Sequence, residues 1–383
     1  MLFLEAVYLR LNYGTRGSGL MRMTLQTEWE EFISRFPRNP APLRTYDLKN
    51  LERRFPMYFE RLRKDVGANK PHNLDILLRQ MALQCERFYR TAGSELDFDY
   101  YLGEFFTGEI NAAATLAPSG YFFLINTGLR DVIFKFCKSF IWSSEFVYMH
   151  THQACELPPG YDPQSYTFSS IADYLGDTIY IYLRKLPQDL LARLVMPANE
   201  NAALLFAYSD THAVSFVIMH EMAHAILGHL NRDNMRRVFP DDNSVMIYRQ
   251  SQQQEHEADW LAASALHACE STGSRHYTPD ESRFASWRLN SIFLVLLCLD
   301  ILEESVEVLS GSSAPVEKRT HPYPLVRIRV IQELFEDQWG QHLVEAFPVL
   351  EATLSWYEKI RPRVSHRIAE ISCQIEGTRP KTD

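Results

Sequence analysis

The sequence predicts a mainly helical α+β fold. Residues 1–100 are rich in Arg, Glu, Leu and aromatic residues, which favours helices in the N-terminal region. The segment 211–230 is largely apolar and is followed by polar residues, which is typical of a buried helix. By contrast, residues 121–126 form a short aromatic and β-branched run between Pro118-Ser119-Gly120 and Gly128, which indicates a strand. Many helices with one clear strand predict a short sheet within a helical protein.

Local signals define the remaining elements in chain order. Ser209-Asp210 offers an N-cap for the first of the long helices. A second helix is predicted to begin after Ser251 and to end before Gly273. The apolar run at 292–302 predicts a third, and one or two further helices are expected within 325–372.

Composition excludes several classes of protein. The 383 residues are 46% apolar, which excludes a disordered or fibrous chain. A formal charge of −9 disfavours binding to nucleic acid, which depends on clustered Lys and Arg. The longest apolar run, Ile292 to Leu299, is far shorter than the roughly 20 residues that span a bilayer, so no membrane span is expected. The six cysteines are scattered without a CxxC pair, and Met1 to Tyr8 lacks the basic start of a signal peptide, which together predict free thiols in a reducing cytoplasm.

The strongest chemical signal is the HExxH motif His220-Glu221-Met222-Ala223-His224. At about 100° per residue, its two histidines lie about 40° apart on a helix, so both imidazoles can bind one metal ion. Glu221 is rotated by one residue, which lets it reach a water on that ion without displacing a ligand. The apolar flanks 213–219 and 225–227 favour a buried active-site helix.

A catalytic zinc site normally uses three protein ligands and leaves the fourth position to water. Glu255, on the second predicted helix, is the candidate for the third ligand, and His256 is the alternative. Asp259 lies one turn after Glu255 on the same face, where it can accept a hydrogen bond from a ligand histidine and orient it. Glu257 points away from that face and is expected to be solvated.

The spacing excludes the metzincin type of zinc site. That site needs Gly seven residues and His ten residues after the first His, and these positions hold Leu227 and Leu230. His229 would lie roughly opposite His220 on a helix that continues to residue 230, so we do not expect it to bind metal. The third ligand is therefore sought on the second helix.

Four motifs follow the order found in one family of zinc endopeptidases, which includes the CAAX prenyl endopeptidase, the bacterial membrane peptidase HtpX and soluble periplasmic relatives. They are Ile110 to Leu129, His220 to His224 with His229, Glu255-x-x-Ala258-Asp259, and Thr320-His321-Pro322 followed by Arg327-Ile328. The absence of membrane helices and the helical N-terminal region also resemble the Lit-type phage-exclusion peptidases. The resemblance implies a gluzincin fold, with an edge strand over the active-site helix and Glu255 as the third ligand.

The same resemblance suggests roles for His321 and Arg327. We expect His321 to share the charge of the oxyanion that forms when the scissile carbonyl is attacked. Arg327, on the helix that follows, could brace this turn by pairing with a carboxylate such as Asp259. The alternative interpretation is a helix cap, with Thr320 as the N-cap residue before Pro324.

Together these features predict a soluble, cytoplasmic, zinc-dependent endopeptidase. Zinc held by His220, His224 and Glu255 would lower the pKa of its bound water. Glu221 would accept the proton of that water as it attacks the scissile carbonyl, and would pass the proton to the leaving amine.

Three regions are predicted along the chain. The zinc metallopeptidase domain is expected over 101–345, with an insertion at 131–210 whose structure the sequence does not define. It follows the helical N-terminal region 1–100 and precedes a helical tail over 346–383.

The expected partner is a protein or peptide substrate whose backbone pairs with the exposed edge of the strand 121–126. The residues assigned to this substrate strand are Asn111, Ala112, Tyr121, Phe122 and Phe123. Two alternatives stay open: a metal-bearing interaction or scaffold protein with little turnover, and a hydrolase of small peptides. An intact Glu221 argues against the scaffold, because a scaffold needs metal ligands but no base.

Overall fold

The computed structural model describes many helices and a small three-stranded sheet, which confirms the mainly helical α+β prediction. The described residues are 27–28, 30–31, 73–94, 96–105, 112–152, 168–184, 186, 200–230, 235–237, 246–248, 251–268, 279–311, 322–339 and 347–377. Most of the predicted N-terminal region 1–100 lies outside these residues.

The helices and strands are numbered here in chain order. The helices are α1 (Asn73–Thr91), α2 (Thr127–His152), α3 (Phe168–Leu183), α4 (Glu200–Ile226), α5 (Gln252–Ala268), α6 (Pro279–Ser310), α7 (Pro324–Trp339) and α8 (Phe347–Gly377). The strands are β1 (Tyr100–Phe105), β2 (Ala112–Ala117), β3 (Gly120–Asn126), β4 (Met235–Arg237) and β5 (Met246–Tyr248). Strands β4 and β5 form a separate antiparallel pair.

The three-stranded sheet has β3 at its centre, in the order β1, β3, β2. Strand β3 runs parallel to β1 and antiparallel to β2, so that Phe123 pairs with Leu102 on one side and with Ala114 on the other. The strand predicted over 121–126 is confirmed. Its predicted exposed edge is wrong, because neighbouring strands pair with β3 on both sides. The edge strands of this sheet are β1 and β2.

Helix α4 lies at the centre of the helical part. It contacts α1, α2, α5 and α6, as well as strands β2 and β3. The sequence of α4 is apolar on every side, which is typical of a helix that is surrounded by protein. Val214, Ile218 and Met222 are each at most 2% exposed. Burial of α4 is therefore what draws the other elements together.

The predicted start of α4 is wrong, because the helix begins at Glu200 and not at 211. Ser209, the predicted N-cap residue, lies within the helix and is fully buried. The preceding turn continues the helix because Phe206 packs on Phe134 of α2, with ring centroids 4.9 Å apart. Tertiary packing thus overrides the local cap signal.

Helix α4 ends at Ile226 and not at 230. Gly228 has a φ of +69°, and its N–H bonds to the carbonyl of Ala225. The N–H of His229 bonds to the carbonyl of His224 at 2.8 Å, which completes a Schellman motif. The motif turns the chain back, so His229 follows the helix instead of extending it.

The described part of segment 131–210 is helical. It contains most of α2, all of α3 and the first turns of α4, and α2 packs on α4. Helix α8 in turn packs on α3 and α6. Arg367 of α8 donates to Asp177 of α3 at 2.8 Å, and a Cβ atom added at Gly176 would lie only 2.8 Å from Cγ of Arg367. The predicted domain boundaries stay a prediction.

No described helix combines the length and the apolar character that crossing a bilayer requires.

Two glycines with the same role provide a matched test of backbone strain. Gly93 ends α1 with a second Schellman motif, at a φ of +82°, and an added Cβ atom would meet no neighbour at Gly93 or at Gly228. We expect Gly93→Ala and Gly228→Ala each to lower the free energy of unfolding by about 1–2 kcal/mol, because an L residue is strained at positive φ. Urea unfolding measures the change, and asparagine at either position should lose less. Unchanged stability in both alanine variants would contradict the assigned backbone conformation.

Candidate metal centre

Helix α4 supplies two histidines that face the same point. His220 and His224 are one turn apart, and their Nε2 atoms are 3.1 Å apart. They are only 7% and 1% exposed. The pair therefore lies in the interior, where water competes least for a ligand.

Helix α5 supplies a carboxylate to the same point. The helix begins with a capping box, in which Ser251 Oγ accepts from the N–H of Gln254 and Gln254 Oε1 accepts from the N–H of Ser251. This start agrees with the helix predicted after Ser251, and it places Glu255 in the first turn. Glu255 is 1% exposed, with Oε2 3.3 Å from His220 Nε2 and Oε1 3.5 Å from His224 Nε2.

The three side chains fit a zinc ion. Zinc binds nitrogen and oxygen ligands at about 2.0–2.1 Å, so two ligands of a tetrahedral ion lie about 3.3 Å apart. The observed separations of 3.1, 3.3 and 3.5 Å bracket this value. Among the described residues, His220, His224 and Glu255 are the group found able to hold a metal. His256, the alternative third ligand, is not part of this group.

An acidic and a basic residue support His220 from behind. Nδ1 of His220 lies 2.9 Å from Oδ1 of Asp259. Both oxygens of Asp259 accept from Arg327 of α7, each at 2.6 Å. Asp259 is fully buried and Arg327 is 5% exposed. The bidentate contact fixes the carboxylate, and the carboxylate in turn faces the far nitrogen of a candidate ligand histidine.

The electrostatics of the site favour a positive charge between the ligands. Burial lowers the pKa of His220, but hydrogen bonding to Asp259 and Glu255 outweighs burial and raises that pKa to about 10. Burial and the charge of His220 hold the pKa of His224 well below its usual value. Burial raises the pKa of Asp259, but the charge of Arg327 outweighs it and lowers that pKa to about 2. A bound metal cation would supply the charge that the proton on His220 otherwise provides.

The other predicted site residues that the structure describes lie on α4 and on strands β2 and β3. Glu221 lies on α4 directly after His220 and is partly exposed. Ala112 begins β2, and Tyr121, Phe122 and Phe123 lie in the central strand β3. Two predicted residues, His321 and Asn111, lie outside the described residues.

Sequence reasoning missed the contacts of two residues near the site. His229 does not lie opposite His220, since its Nδ1 is 3.0 Å from Nδ1 of His224. Glu257 is not simply solvated, because its Oε2 lies 3.0 Å from Nε2 of His229. Gly228 was the available signal, because a glycine after a helical segment marks a helix end and a change of chain direction.

A second missed contact comes from α1. The hydroxyl of Tyr89 donates to the carbonyl of Met219, the residue before His220. Sγ of Cys85, one turn earlier on α1, lies 3.7 Å from the carbonyl of Ser215. Helix α1 therefore holds the turn of α4 that carries the first histidine, and no motif in the sequence marks this contact.

Comparison with known protein families gives a match over more than half of the chain. A family model described as Peptidase U49 matches residues 139–346, which is 208 of the 383 residues. The matched segment contains His220, His224, Glu255 and Arg327. No curated protein and no solved structure matches the chain. The match supports the resemblance to the Lit-type peptidases, whereas the resemblance to HtpX stays a prediction.

The buried ion pair gives a testable expectation for stability. Replacing Arg327 by Met removes the bidentate partner of the fully buried Asp259 carboxylate. We expect this change to lower the free energy of unfolding by about 3 kcal/mol, the low end of the range for breaking a buried ion pair, because His220 remains as a partner of Asp259. Arg327→Lys keeps the charge but loses the bidentate contact, so its effect should be intermediate.

Urea unfolding in metal-free buffer measures both Arg327 variants. A Met variant as stable as the wild type would show that the pair does not compensate the charge of Asp259.

Proposed function

We propose that this chain, which belongs to the Peptidase U49 family and is therefore a peptidase, is a zinc-dependent endopeptidase acting on a protein substrate. The observation that carries the proposal is the spacing of three buried donor atoms, from His220, His224 and Glu255, at 3.1–3.5 Å from one another. Two imidazoles and one carboxylate are a donor set of catalytic zinc sites in peptidases. When bound, zinc would supply Lewis acidity, which lowers the pKa of a water ligand and polarises a carbonyl.

Glu221 is the proposed general base. It follows His220 on α4 and so lies beside the donor set without being part of it. Its carboxylate would accept the proton of the attacking water and deliver that proton to the nitrogen of the leaving amine. Its partial exposure supports this role, because the base must be reachable from the side where water and substrate enter.

His321 is the proposed donor to the oxyanion. This role rests on the Thr320-His321-Pro322 motif, which immediately precedes the described start of α7. Arg327 of α7 pairs with Asp259, so the helix after the motif is tied to the buried carboxylate behind His220. Such an anchor would hold a donor in place as charge develops on the substrate.

Extended substrate is proposed to pair with β2 and not with β3. Strand β3 is paired on both sides, whereas β2 lies at an edge of the sheet. Strand β2 also contacts α4, the helix that carries the histidines. A peptide can add to an edge strand as a further strand.

We also propose a reducing, cytoplasmic location. The described cysteines, namely Cys85, Cys137, Cys298 and Cys373, form no disulfide, and the first three are buried. Buried free thiols suit a compartment in which thiols stay reduced.

Metal analysis tests the ligand set directly. The purified protein is expected to contain about one zinc ion per chain, and His224→Ala should lose most of it because two ligands no longer hold the ion. His366→Ala, at an exposed histidine of α8, is the matched control and should keep the wild-type zinc content. Full zinc retention in His224→Ala would refute the proposed centre.

Substitution of the proposed base tests the chemistry. Glu221→Gln should keep both zinc and fold while the rate of hydrolysis falls by about 10²- to 10⁴-fold, because an amide cannot accept the proton. Proteome-wide mapping of new protein N-termini, after expression of the wild type or of Glu221→Gln, would identify the substrate and compare the rates. If the variant generated the same N-termini at the wild-type rate, Glu221 would not be the base. If zinc were present and neither protein generated any, the scaffold interpretation would replace the endopeptidase.

A further inference from the structure

We propose that His229 and Glu257 are positioning residues, which fix the tautomer and the orientation of His224 as a metal ligand. This inference rests on the proposed metal site. It adds a second support to that site, separate from the pair of Asp259 and Arg327 behind His220.

Three side chains form a continuous chain of contacts behind His224. Nδ1 of His224 lies 3.0 Å from Nδ1 of His229, and Nε2 of His229 lies 3.0 Å from Oε2 of Glu257. The other oxygen of Glu257 accepts from Nε2 of Gln253 at 2.9 Å, which holds the carboxylate on α5. His224 and His229 are 1% and 7% exposed, whereas the side chain of Glu257 is 44% exposed.

The backbone at the end of α4 brings the side chain of His229 into contact with that of His224. The Schellman motif at Gly228 brings the residue after the helix back beside His224. The bond from the N–H of His229 to the carbonyl of His224 fixes the two residues to each other. The contact between the rings is thus built into the way α4 ends.

One arrangement of the protons on His224 and His229 satisfies these hydrogen bonds and leaves His224 able to bind a metal ion. A contact between two Nδ1 atoms needs one donor and one acceptor. If His224 donates, its Nε2 keeps a free lone pair toward His220 and Glu255, where the ion would bind. His229 then accepts at Nδ1, carries its own proton on Nε2, and donates that proton to the carboxylate of Glu257.

The reverse arrangement is disfavoured by Glu257. If a neutral His229 donated from Nδ1, its Nε2 would face the carboxylate as a second acceptor, and two acceptors repel. His224 would also carry its proton on Nε2, in the position that the metal needs. The carboxylate of Glu257 therefore selects the tautomer of His229, and His229 selects the tautomer of His224.

Zinc affinity in four variants of the full chain tests the proposal. Partners of this kind typically contribute 10- to 100-fold to metal affinity. We expect His229→Ala to weaken zinc binding by about that factor and Glu257→Ala by about 10-fold, measured by competition with a chromophoric chelator. The double variant should bind zinc no more weakly than His229→Ala alone, because Glu257 acts only through His229. Glu257→Gln should recover only part of the affinity, because its amide can accept from His229 but can also donate to it, and so no longer selects one tautomer.

A control and a second readout separate this role from a general effect on folding. Gln252→Ala, at an exposed residue of the same helix turn, should leave zinc affinity unchanged. In the metal-free protein, ¹H–¹⁵N correlation spectra of histidine-labelled chains should show the proton of His224 on Nδ1, with His224→Ala used for assignment. His229→Ala should shift this proton toward Nε2. Its unfolding midpoint should fall only by the amount expected for the cavity that the smaller side chain leaves.

The outcomes distinguish this inference from the proposed function. Equal zinc affinity in all variants, or losses that add in the double variant, would overturn the positioning role and leave the zinc centre intact. A His224 proton on Nε2 in the wild type would overturn the tautomer assignment. Absence of zinc binding in the wild type would instead overturn the proposed function.

Discussion

Burial of α4 over residues 212–220 and 222–225 is the constraint on which the rest of the structure depends. A helix that is apolar around most of its circumference has to be covered on several sides, and α1, α2, α5, α6 and the sheet provide that cover. The same burial places His220 and His224 in the interior, where two imidazoles need partners. The site and the core are therefore consequences of one packing requirement.

Burial of polar groups at the centre is balanced by ion pairs and hydrogen bonds. Asp259 would be destabilising without Arg327, and the pair is useful at this position because the carboxylate also faces His220. The contacts that run from His224 through His229 to Glu257 differ from this buried pair, because they end at a half-exposed carboxylate. One candidate ligand histidine, His220, is thus supported from the buried interior, and the other, His224, from the side that is open to water.

The sequence was sufficient to predict the helical class, the strand at 121–126 and the set His220, His224 and Glu255. These features depend on local spacing, which a sequence displays directly. The edge position attributed to that strand was wrong because strand order depends on β1 and β2, whose sequences carry weaker signals. The limits of α4 were wrong because packing of Phe206 extended its start and Gly228 ended it early. Tyr89 could not be predicted, because its contact with Met219 joins segments 130 residues apart.

The position of α8 has a consequence for how the chain assembles. This helix packs on α3, and Arg367 meets a partner 190 residues earlier in the sequence. The residues of α3 that pack on α8 lack that cover until residues up to about 377 have been made, because domains fold as units. Contacts so distant in sequence also slow folding, since a long loop must close before they form. A nascent chain that already contains α4 and α5 therefore still lacks the part of the core that α8 completes.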